Sequence, residues 1–480
     1  MLTMDDIKYI KRMYECEGIS IREIMRRTGY HYETVKKYID MNILKSKRSP
    51  WWWLPTTYMA EGLPYFAVNT IAVLMYAKMG VSNGDMAFYT AWLYLPWVIK
   101  PFWAPFVDII KSKRWWTITM QFLIAITMAS VAFCINLPFF FATTLAAFWI
   151  MAFCSATHDI AADGYYMLAL DDSQQAAYVG VRSTFYRIAS VIGQGALVIL
   201  AGYIEQTTSD VSLAWSVVFI VLTAFFLIIG TYHIWAMPKA SADSQRNTNG
   251  SWRKILTDFK NTFITFFAKP HVLSALAFML LYRLPEAMML KLVQPFFITS
   301  QADGGLGLTT KQVGVVNGTV GVIALLLGGI VGGICISRGG LKRWLWPMAL
   351  ALTLPCCFYC YLAMAQPSDL LLINIGVFVE QFGYGFGFTA FMLYLIHFSD
   401  GQYKTAHYSF CTAFMALGMM LPGMVAGWIQ EALNSISIFG GDGPQGYINF
   451  FWWVMLCCIP TLIVCMIVKI DPEFGKKKIK

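Results

Sequence analysis

Charged side chains are scarce in this chain of 480 residues. They make up 13% of the residues, whereas hydrophobic residues make up 58% and the mean hydropathy is +0.56. A soluble protein carries about twice that fraction of charge, so the composition excludes a soluble globular protein and predicts an integral membrane protein. The apolar runs do not alternate with a period of two, and they therefore predict membrane-spanning helices rather than barrel strands.

Groups that carry enzyme chemistry are also missing. The sequence shows no nucleophile–base pair, phosphate-binding loop or metal-ligand cluster, so we expect a protein that is not an enzyme and uses no cofactor or metal. The eleven cysteines lie almost all inside apolar runs, where they are typical of small packing residues. The start of the chain lacks the pattern of a cleavable signal peptide.

What is present is a series of long apolar runs. Each has the length of about 20 residues that one helical crossing needs, so the sequence predicts an all-α polytopic membrane protein with twelve transmembrane helices, called spans 1–12. The predicted spans are 53–78, 86–109, 115–136, 139–169, 177–204, 212–236, 271–300, 311–336, 343–364, 369–398, 403–432 and 446–468.

Lysine and arginine are concentrated in alternate loops between these runs. Positively charged loops stay on the cytoplasmic side, so we expect a multi-pass membrane protein with both termini and the central linker in the cytoplasm. The net charge of +9 is then a topology signal. The basic residues include Lys111, Lys113 and Arg114 after span 2, Arg338, Lys342 and Arg343 after span 8, and those of 476–480.

The chain divides into two similar parts. Residues 178–203 resemble residues 403–428, which indicates two parallel repeats of six spans. The polar linker between them contains a basic amphipathic pattern that begins at Trp252 and is typical of a helix on a membrane surface. The predicted units are the half 51–236, the linker 237–270, the half 271–468 and the basic tail 469–480.

Two matching loops carry related motifs. The loop after span 2 contains Ala104-Pro105-Phe106-Val107-Asp108 and then Lys113-Arg114, and the loop after span 8 contains Ser337-Arg338-Gly339-Gly340 and then Lys342-Arg343. Both resemble the Gly/Ala-x-x-x-Asp-Arg-x-Gly-Arg-Arg signature of the major facilitator superfamily of secondary transporters, with Ser337 in the place of the acid. The resemblance implies a gating role for Asp108, Lys113, Arg114, Arg338, Lys342 and Arg343.

Within that superfamily the chain resembles AmpG-like permeases and the related acetyl-CoA transporters. The resemblance rests on Glu61-Gly62-Leu63-Pro64, on the stretch from Lys100 to Asp108, and on His158-Asp159-Ile160-Ala161-Ala162-Asp163. It implies a permease that imports muropeptides, sugars or oligosaccharides together with protons. Its partners would be a small-molecule substrate, protons and the lipid bilayer, and we expect a monomer. An exporter of the same fold remains an alternative.

Ionisable residues inside the spans are few, and a charge at membrane depth must face protein or a wet cavity. Asp159 and Asp163 share one helix face because they are four residues apart. Equal distances from the loop near residue 173 predict that Asp159 pairs with Arg187 and that Asp163 pairs with Arg182 or with water. These pairs would either fix the bundle or act as a proton-labile switch. The candidates for proton coupling are Glu61, His158, Asp159, Asp163 and Glu380.

Candidates for substrate binding lie mainly on spans 7 and 10. Arg283, Glu286 and Lys291 would suit an anionic or hydroxyl-rich substrate, although Arg283 and Glu286 are three residues apart and would equally satisfy each other. The aromatic candidates for stacking on sugar rings include Tyr165 and Tyr384. Lys100 is interpreted as a structural residue that extends towards the cytoplasmic interface.

The first 40 residues follow a different pattern. The segment Ser20–Gly29 and the segment Tyr32–Ile39 resemble the helix-turn-helix of IstA-type insertion-sequence transposases. Residues 1–40 are nearly neutral in charge, which is unusual for a DNA-binding domain. We therefore expect no DNA partner and interpret the segment as an in-frame fusion or an early start, with Met41 as the alternative first residue. A membrane-tethered DNA-binding regulator is the other alternative.

Overall fold

All regular elements of the described residues are helical in the computed structural model of this chain. The structure describes residues 13–14, 19–32, 34–36, 49–170, 172–239, 252–400, 404–436, 444–472 and 474. Of residues 105, 108–110, 172–173, 175–177, 179, 252–259 and 404–406 it describes the backbone alone.

Ten helices of the described residues are long and apolar enough to cross a membrane. They coincide with predicted spans 3–12 to within a few residues, which confirms an all-α, multi-pass membrane protein. The ten helices are Lys113–Cys134, Phe140–Ala169, Gly180–Thr208, Val211–Ala236, Val272–Ile298, Thr310–Gly339, Leu341–Ala365, Leu370–Ser399, His407–Ser435 and Gly446–Ile467.

Predicted spans 1 and 2 lie on interrupted helices. In span 1 the π-helical turn Ala67–Ile71 separates Leu54–Phe66 from Ala72–Lys78. In span 2 a turn separates Asn83–Trp92 from Leu95–Ile110. Neither is one of the ten helices above, so the membrane crossing of these two segments stays a prediction.

Close packing between glycine and backbone joins the two halves. Gly318 of span 8 lies against the backbone of Gln194 in span 5, and Gly427 of span 11 lies against the backbone of Asn83 in span 2. A Cβ atom at either glycine would collide with that backbone, so glycine permits the close approach of the helices.

Hydrogen bonds hold the two halves together at the end of the bundle that faces away from the basic loops. The Thr310 hydroxyl donates to Glu205 at 2.5 Å, and the Asn83 amide donates to Gln430 at 2.8 Å. Each of these bonds joins a residue of the first half to a residue of the second. This end is therefore bridged in the conformation described.

The described part of the N-terminal segment contains a short, well-capped helix. Ile21–Thr28 begins at Ser20, whose hydroxyl accepts from the N–H of Glu23, and ends at Gly29 with φ of 73°. Ile24 and Val35 are buried together with Met13. This geometry ends the helix at Gly29, between the two segments of the resemblance, and the DNA-binding interpretation stays a hypothesis.

The linker contains the helix Trp252–Phe267, at the position where the amphipathic pattern predicts one. Residues 240–251, most of the polar part of the linker, lie outside the described residues, as does the basic tail from 475 onwards.

Candidate functional site

Three carboxylates meet between spans 1 and 4. Glu61 comes from Leu54–Phe66, and Asp159 and Asp163 come from one face of Phe140–Ala169. One oxygen from each residue lies within 4.8 Å of one from each of the others. Like charges this close repel one another strongly in a low-dielectric environment, so the group needs positive charge nearby.

Two cations supply part of that charge. Lys100 of span 2 forms an ion pair with Asp159, and Arg182 of span 5 forms one with Asp163 at 2.8 Å. We call these five residues the carboxylate cluster: Glu61, Lys100, Asp159, Asp163 and Arg182. With all its members ionised, the cluster carries one net negative charge.

The unsatisfied member of the cluster is Glu61. Its Oε2 atom is buried and has no hydrogen-bond partner among the described residues. Asp163, in contrast, also accepts a hydrogen bond from the hydroxyl of Tyr58 at 3.1 Å. The guanidinium of Arg182 lies over the ring of Tyr58, 4.6 Å from its centroid.

A proton fits this donor set better than a metal ion. Three carboxylates at this spacing suit a hard cation, but Lys100 and Arg182 already occupy positions against two of the three. One proton on the cluster removes its remaining charge. The arrangement is therefore able to gain and lose a proton inside the bundle.

The predicted pair of Asp159 with Arg187 is wrong. Asp159 pairs with Lys100, whereas Arg187 has no ion pair among the described residues. Equal depth fixes the height of a residue but not its direction. Arg182 and Arg187 are five residues apart, which is about 140° around a helix. Because the side chain of Arg182 points towards Asp163, the side chain of Arg187 points in a different direction, away from the carboxylates of span 4.

The interpretation of Lys100 as an interfacial residue is also wrong. Its ammonium lies inside the bundle against Asp159, with one quarter of the side chain exposed. The helix Leu95–Ile110 places Lys100 almost three turns before its end at Ile110.

His158 faces away from the carboxylate cluster into a buried polar chain. Its Nε2 lies 3.0 Å from the Gln121 amide, and Gln121 lies 2.8 Å from Nδ1 of His233. His233 continues the chain to the hydroxyl of Thr56 at 2.8 Å. Gln121 and His233 were not singled out from the sequence, because single polar residues in apolar runs carry no signal about their partners.

The second half contains a balanced ion pair. Arg283 donates to both carboxylate oxygens of Glu286, at 2.7 and 2.8 Å, and to the hydroxyl of Tyr384 at 2.8 Å. Arg283 precedes the first turn of Leu284–Ile298 and Glu286 lies within that turn, so the two side chains reach each other locally. The sequence left open whether Arg283 and Glu286 bind substrate or satisfy each other, and in this structure they pair with each other.

Two further ionisable residues of the second half lie outside this pair. Lys291 is 1% exposed, and its ammonium donates to the hydroxyl of Thr90 at 3.1 Å. Glu380 is buried and accepts hydrogen bonds from Tyr359 and Gln381. No ion pair joins Lys291 or Glu380 to another described residue.

Tyr165 does not join either group of charged residues. Its hydroxyl donates to the carbonyl of Pro238 at 2.6 Å, and its ring packs against Trp53. Its role as a substrate-binding residue stays a prediction, since the sequence alone does not distinguish a buried tyrosine in an apolar run from a cavity-lining one.

Comparison with known proteins agrees with the geometry. The profile described as Major Facilitator Superfamily matches residues 56–421, most of the chain. The chain belongs to the Major Facilitator Superfamily. This membership makes it a transporter of small molecules rather than an enzyme.

The relatives of this chain include a protein named as a permease and one named as a transporter. The anhydromuropeptide permease of Escherichia coli K12 is 24% identical over 428 residues, which cover 87% of this chain and 79% of the permease. A Rickettsia conorii protein named as transporter AmpG 4 is also 24% identical, over 85% of this chain and 94% of the relative. This major facilitator is therefore AmpG-like in sequence.

Solved structures of the superfamily share the fold. A D-xylose–proton symporter superposes with a TM-score of 0.64 at 12% identity, covering 88% of this chain and 98% of the symporter. A mutant of the nucleoside transporter NupG superposes with a TM-score of 0.61 at 14% identity, covering 86% of this chain and 97% of the transporter. Identities this low show the fold of the major facilitator and nothing further about its substrate.

The gating motifs of this major facilitator lie in the loops that join spans 2–3 and 8–9. The side chain of Asp108 lies outside the described residues. Lys113 is buried, and Arg114 donates to the carbonyls of Ile234 and Met237, which end the helix of span 6. Arg338, Lys342 and Arg343 are exposed. The gating role of these residues stays a prediction.

Proposed function

We propose that this major facilitator imports a muropeptide, sugar or oligosaccharide across the bacterial inner membrane together with protons. The half 51–236 would rock against the half 271–468 around a site near the middle of the membrane. We further propose twelve spans with both termini in the cytoplasm, a monomeric state, and no DNA partner for residues 1–40.

The carboxylate cluster is the observation that carries the proposal. Three acids face two cations, so full ionisation leaves a negative charge where burial of charge costs several kcal/mol. A proton relieves that cost, and Glu61 is the member with an unsatisfied oxygen. Binding and release of this proton on opposite sides of the membrane would couple transport to the proton gradient.

Substrate recognition is proposed for the second half. Arg283, Glu286 and Tyr384 form a hydrogen-bonded group on spans 7 and 10, with donors and acceptors that suit hydroxyl-rich solutes. Lys291 adds a cation on the same helix. We place proton exchange in the carboxylate cluster and substrate contacts in this second group, and of the two buried acids Glu61 and Glu380 we assign the transported proton to Glu61.

The two ends of the bundle fit alternating access. The hydrogen bonds of Thr310 with Glu205 and of Asn83 with Gln430 join the halves at one end. Transport would require these bonds to break when the site opens to that side. The motif residues of the basic loops would form the gate at the other end.

Uptake into right-side-out membrane vesicles tests the function. We expect labelled anhydro-disaccharide from peptidoglycan, or a plain disaccharide, to accumulate when the outside is more acidic than the inside, and a protonophore to abolish the accumulation. Vesicles without the protein are the control. Accumulation in inverted vesicles alone would identify an exporter, and the absence of gradient-dependent accumulation in both preparations would reject the proposal.

A further inference from the structure

Lys291 carries a cationic group that is buried inside the bundle. Its side chain lies at the contact between the halves, where its ammonium donates to Thr90 and stands 5.3 Å from the centroid of the Tyr94 ring. Among the described residues no carboxylate pairs with it. An unpaired buried charge is strongly unfavourable, so this position favours the arrival of a negative group.

Gln294 lies beside Lys291 and is also incompletely satisfied. It is three residues further along the same helix, so the two side chains share one face. Gln294 is 5% exposed, and its Oε1 atom is buried without a hydrogen-bond partner among the described residues. A buried acceptor of this kind costs free energy unless a donor reaches it.

The helix itself leaves a second acceptor, a backbone carbonyl, without its usual donor. Pro295 lies inside the helix Leu284–Ile298. Proline has no N–H and cannot donate to the carbonyl four residues earlier, which is the carbonyl of Lys291. One helical turn therefore offers an ammonium group, an amide oxygen and a carbonyl that lacks its usual helix donor.

The matching position in the first half has a similar defect. Asn69 follows Glu61 by eight residues, as Gln294 follows Glu286 by eight. Asn69 is 2% exposed, and its Oδ1 atom has no partner among the described residues. It lies in the π-helical turn Ala67–Ile71, a type of irregularity that is frequent at functional sites.

We propose that Lys291 and Gln294 form a subsite for a carboxylate that has an N–H or O–H group next to it. The ammonium of Lys291 would bind the carboxylate by a charge-assisted hydrogen bond. The Gln294 amide oxygen would accept from the neighbouring N–H or O–H group. The subsite rests on the proposed transport function, to which it adds selection of acidic over neutral solutes.

Two probes that differ in one lactyl group, which carries a carboxylate, test this subsite. N-acetylmuramic acid carries a lactyl carboxyl group that N-acetylglucosamine lacks. In the purified protein in detergent, we expect thermal stabilisation by the acidic probe at concentrations about tenfold lower than by the neutral one. Lys291→Gln is expected to abolish this preference, and Gln294→Leu to weaken binding of both probes by about threefold to tenfold.

Lys260→Gln, on an exposed position of the linker helix, is the matched control and should leave the preference unchanged. Loss of the buried charge in Lys291→Gln should not impair folding, and Gln294→Leu provides a second variant if it does. Equal stabilisation by both probes, or a preference that survives Lys291→Gln, overturns the subsite. Because this measurement uses no gradient, a Lys291-dependent preference without proton-driven uptake would reject the transport proposal and keep the subsite.

Discussion

The two halves of this transporter distribute their buried charges differently. In the first half, side chains from four spans bring three carboxylates to two cations, and Glu61 is left with an unsatisfied oxygen. In the second half, Arg283 and Glu286 satisfy each other within one turn. The first arrangement changes its net charge with one proton, whereas the second is neutral without one.

This difference assigns separate tasks to the halves. A neutral, locally formed pair has little need of a proton, but its polar atoms are available to a ligand. A cluster short of one positive charge responds to protons even when no ligand is bound. The comparison therefore predicts that substitutions in the first half alter coupling and that substitutions in the second half alter substrate affinity.

Substitution of the two unpaired acids gives the largest expected contrast. Glu61→Gln should abolish accumulation driven by the proton gradient, because the cluster becomes neutral without a proton. Exchange of labelled for unlabelled substrate across the membrane should persist, since exchange needs no net proton movement. Uptake and exchange in the same vesicles provide the measurement.

Glu380→Gln is the matched control, because Glu380 is a buried acid of the second half whose hydrogen-bond donors, Tyr359 and Gln381, are neutral. It should retain gradient-driven accumulation. If Glu380→Gln abolishes accumulation and Glu61→Gln does not, the proton site lies in the second half and the comparison fails.

Charge counting gives a second, smaller contrast. Asp159→Asn also makes the cluster neutral but keeps the Glu61 carboxylate as a proton acceptor, so it should lower accumulation only about tenfold, equivalent to roughly 1.4 kcal/mol, with normal expression. The double variant Lys100→Gln, Asp159→Asn restores one net negative charge and should recover part of the accumulation. Both quantities are read as the ratio of uptake with and without the gradient.

Glu286→Gln serves as the second-half counterpart, and it should raise KM while leaving that ratio unchanged. A loss of expression in Asp159→Asn would mean that its ion pair with Lys100 only holds the helices together. Failure of the double variant to exceed the single one would contradict the charge count.

The positions of the membrane-spanning helices were largely predictable from the sequence, but the ion-pair partners of their charged side chains were not. An apolar run of the length of a membrane crossing forces the backbone to satisfy its own hydrogen bonds as a helix, so the helices Phe140–Ala169 and Leu370–Ser399 lie where the sequence predicts them. The same rule says nothing about rotation around the helix axis. Equal depth in the membrane predicted that Asp159 pairs with Arg187, whereas in the structure Asp159 pairs with Lys100.

Defects in hydrogen bonding are another feature that the sequence hides. Gln294 and Asn69 are ordinary polar residues in apolar runs, and nothing in their spacing reveals an oxygen without a donor. Pro295 is visible in the sequence, but its effect on the Lys291 carbonyl matters only because the helix is buried. The Arg283–Glu286 pair was foreseeable as one of two alternatives because it depends on local spacing.

Two tyrosines provide the finest test of the comparison, because each hydroxyl contacts a charged residue of its own half. The Tyr58 hydroxyl donates to Asp163 at 3.1 Å, and the Tyr384 hydroxyl accepts from Arg283 at 2.8 Å. Phenylalanine keeps each ring beside its arginine, so only the hydrogen bond is lost, at about 1 kcal/mol.

In Tyr58→Phe the ionised cluster loses a hydrogen-bond donor and holds its proton more firmly, so the pH profile of uptake should move to higher pH with little change in KM. In Tyr384→Phe we expect KM to rise about fivefold with the pH profile unchanged. Identical shifts of the pH profile in both variants would show that the two halves share one titrating group, and the separation of coupling from recognition would then have to be abandoned.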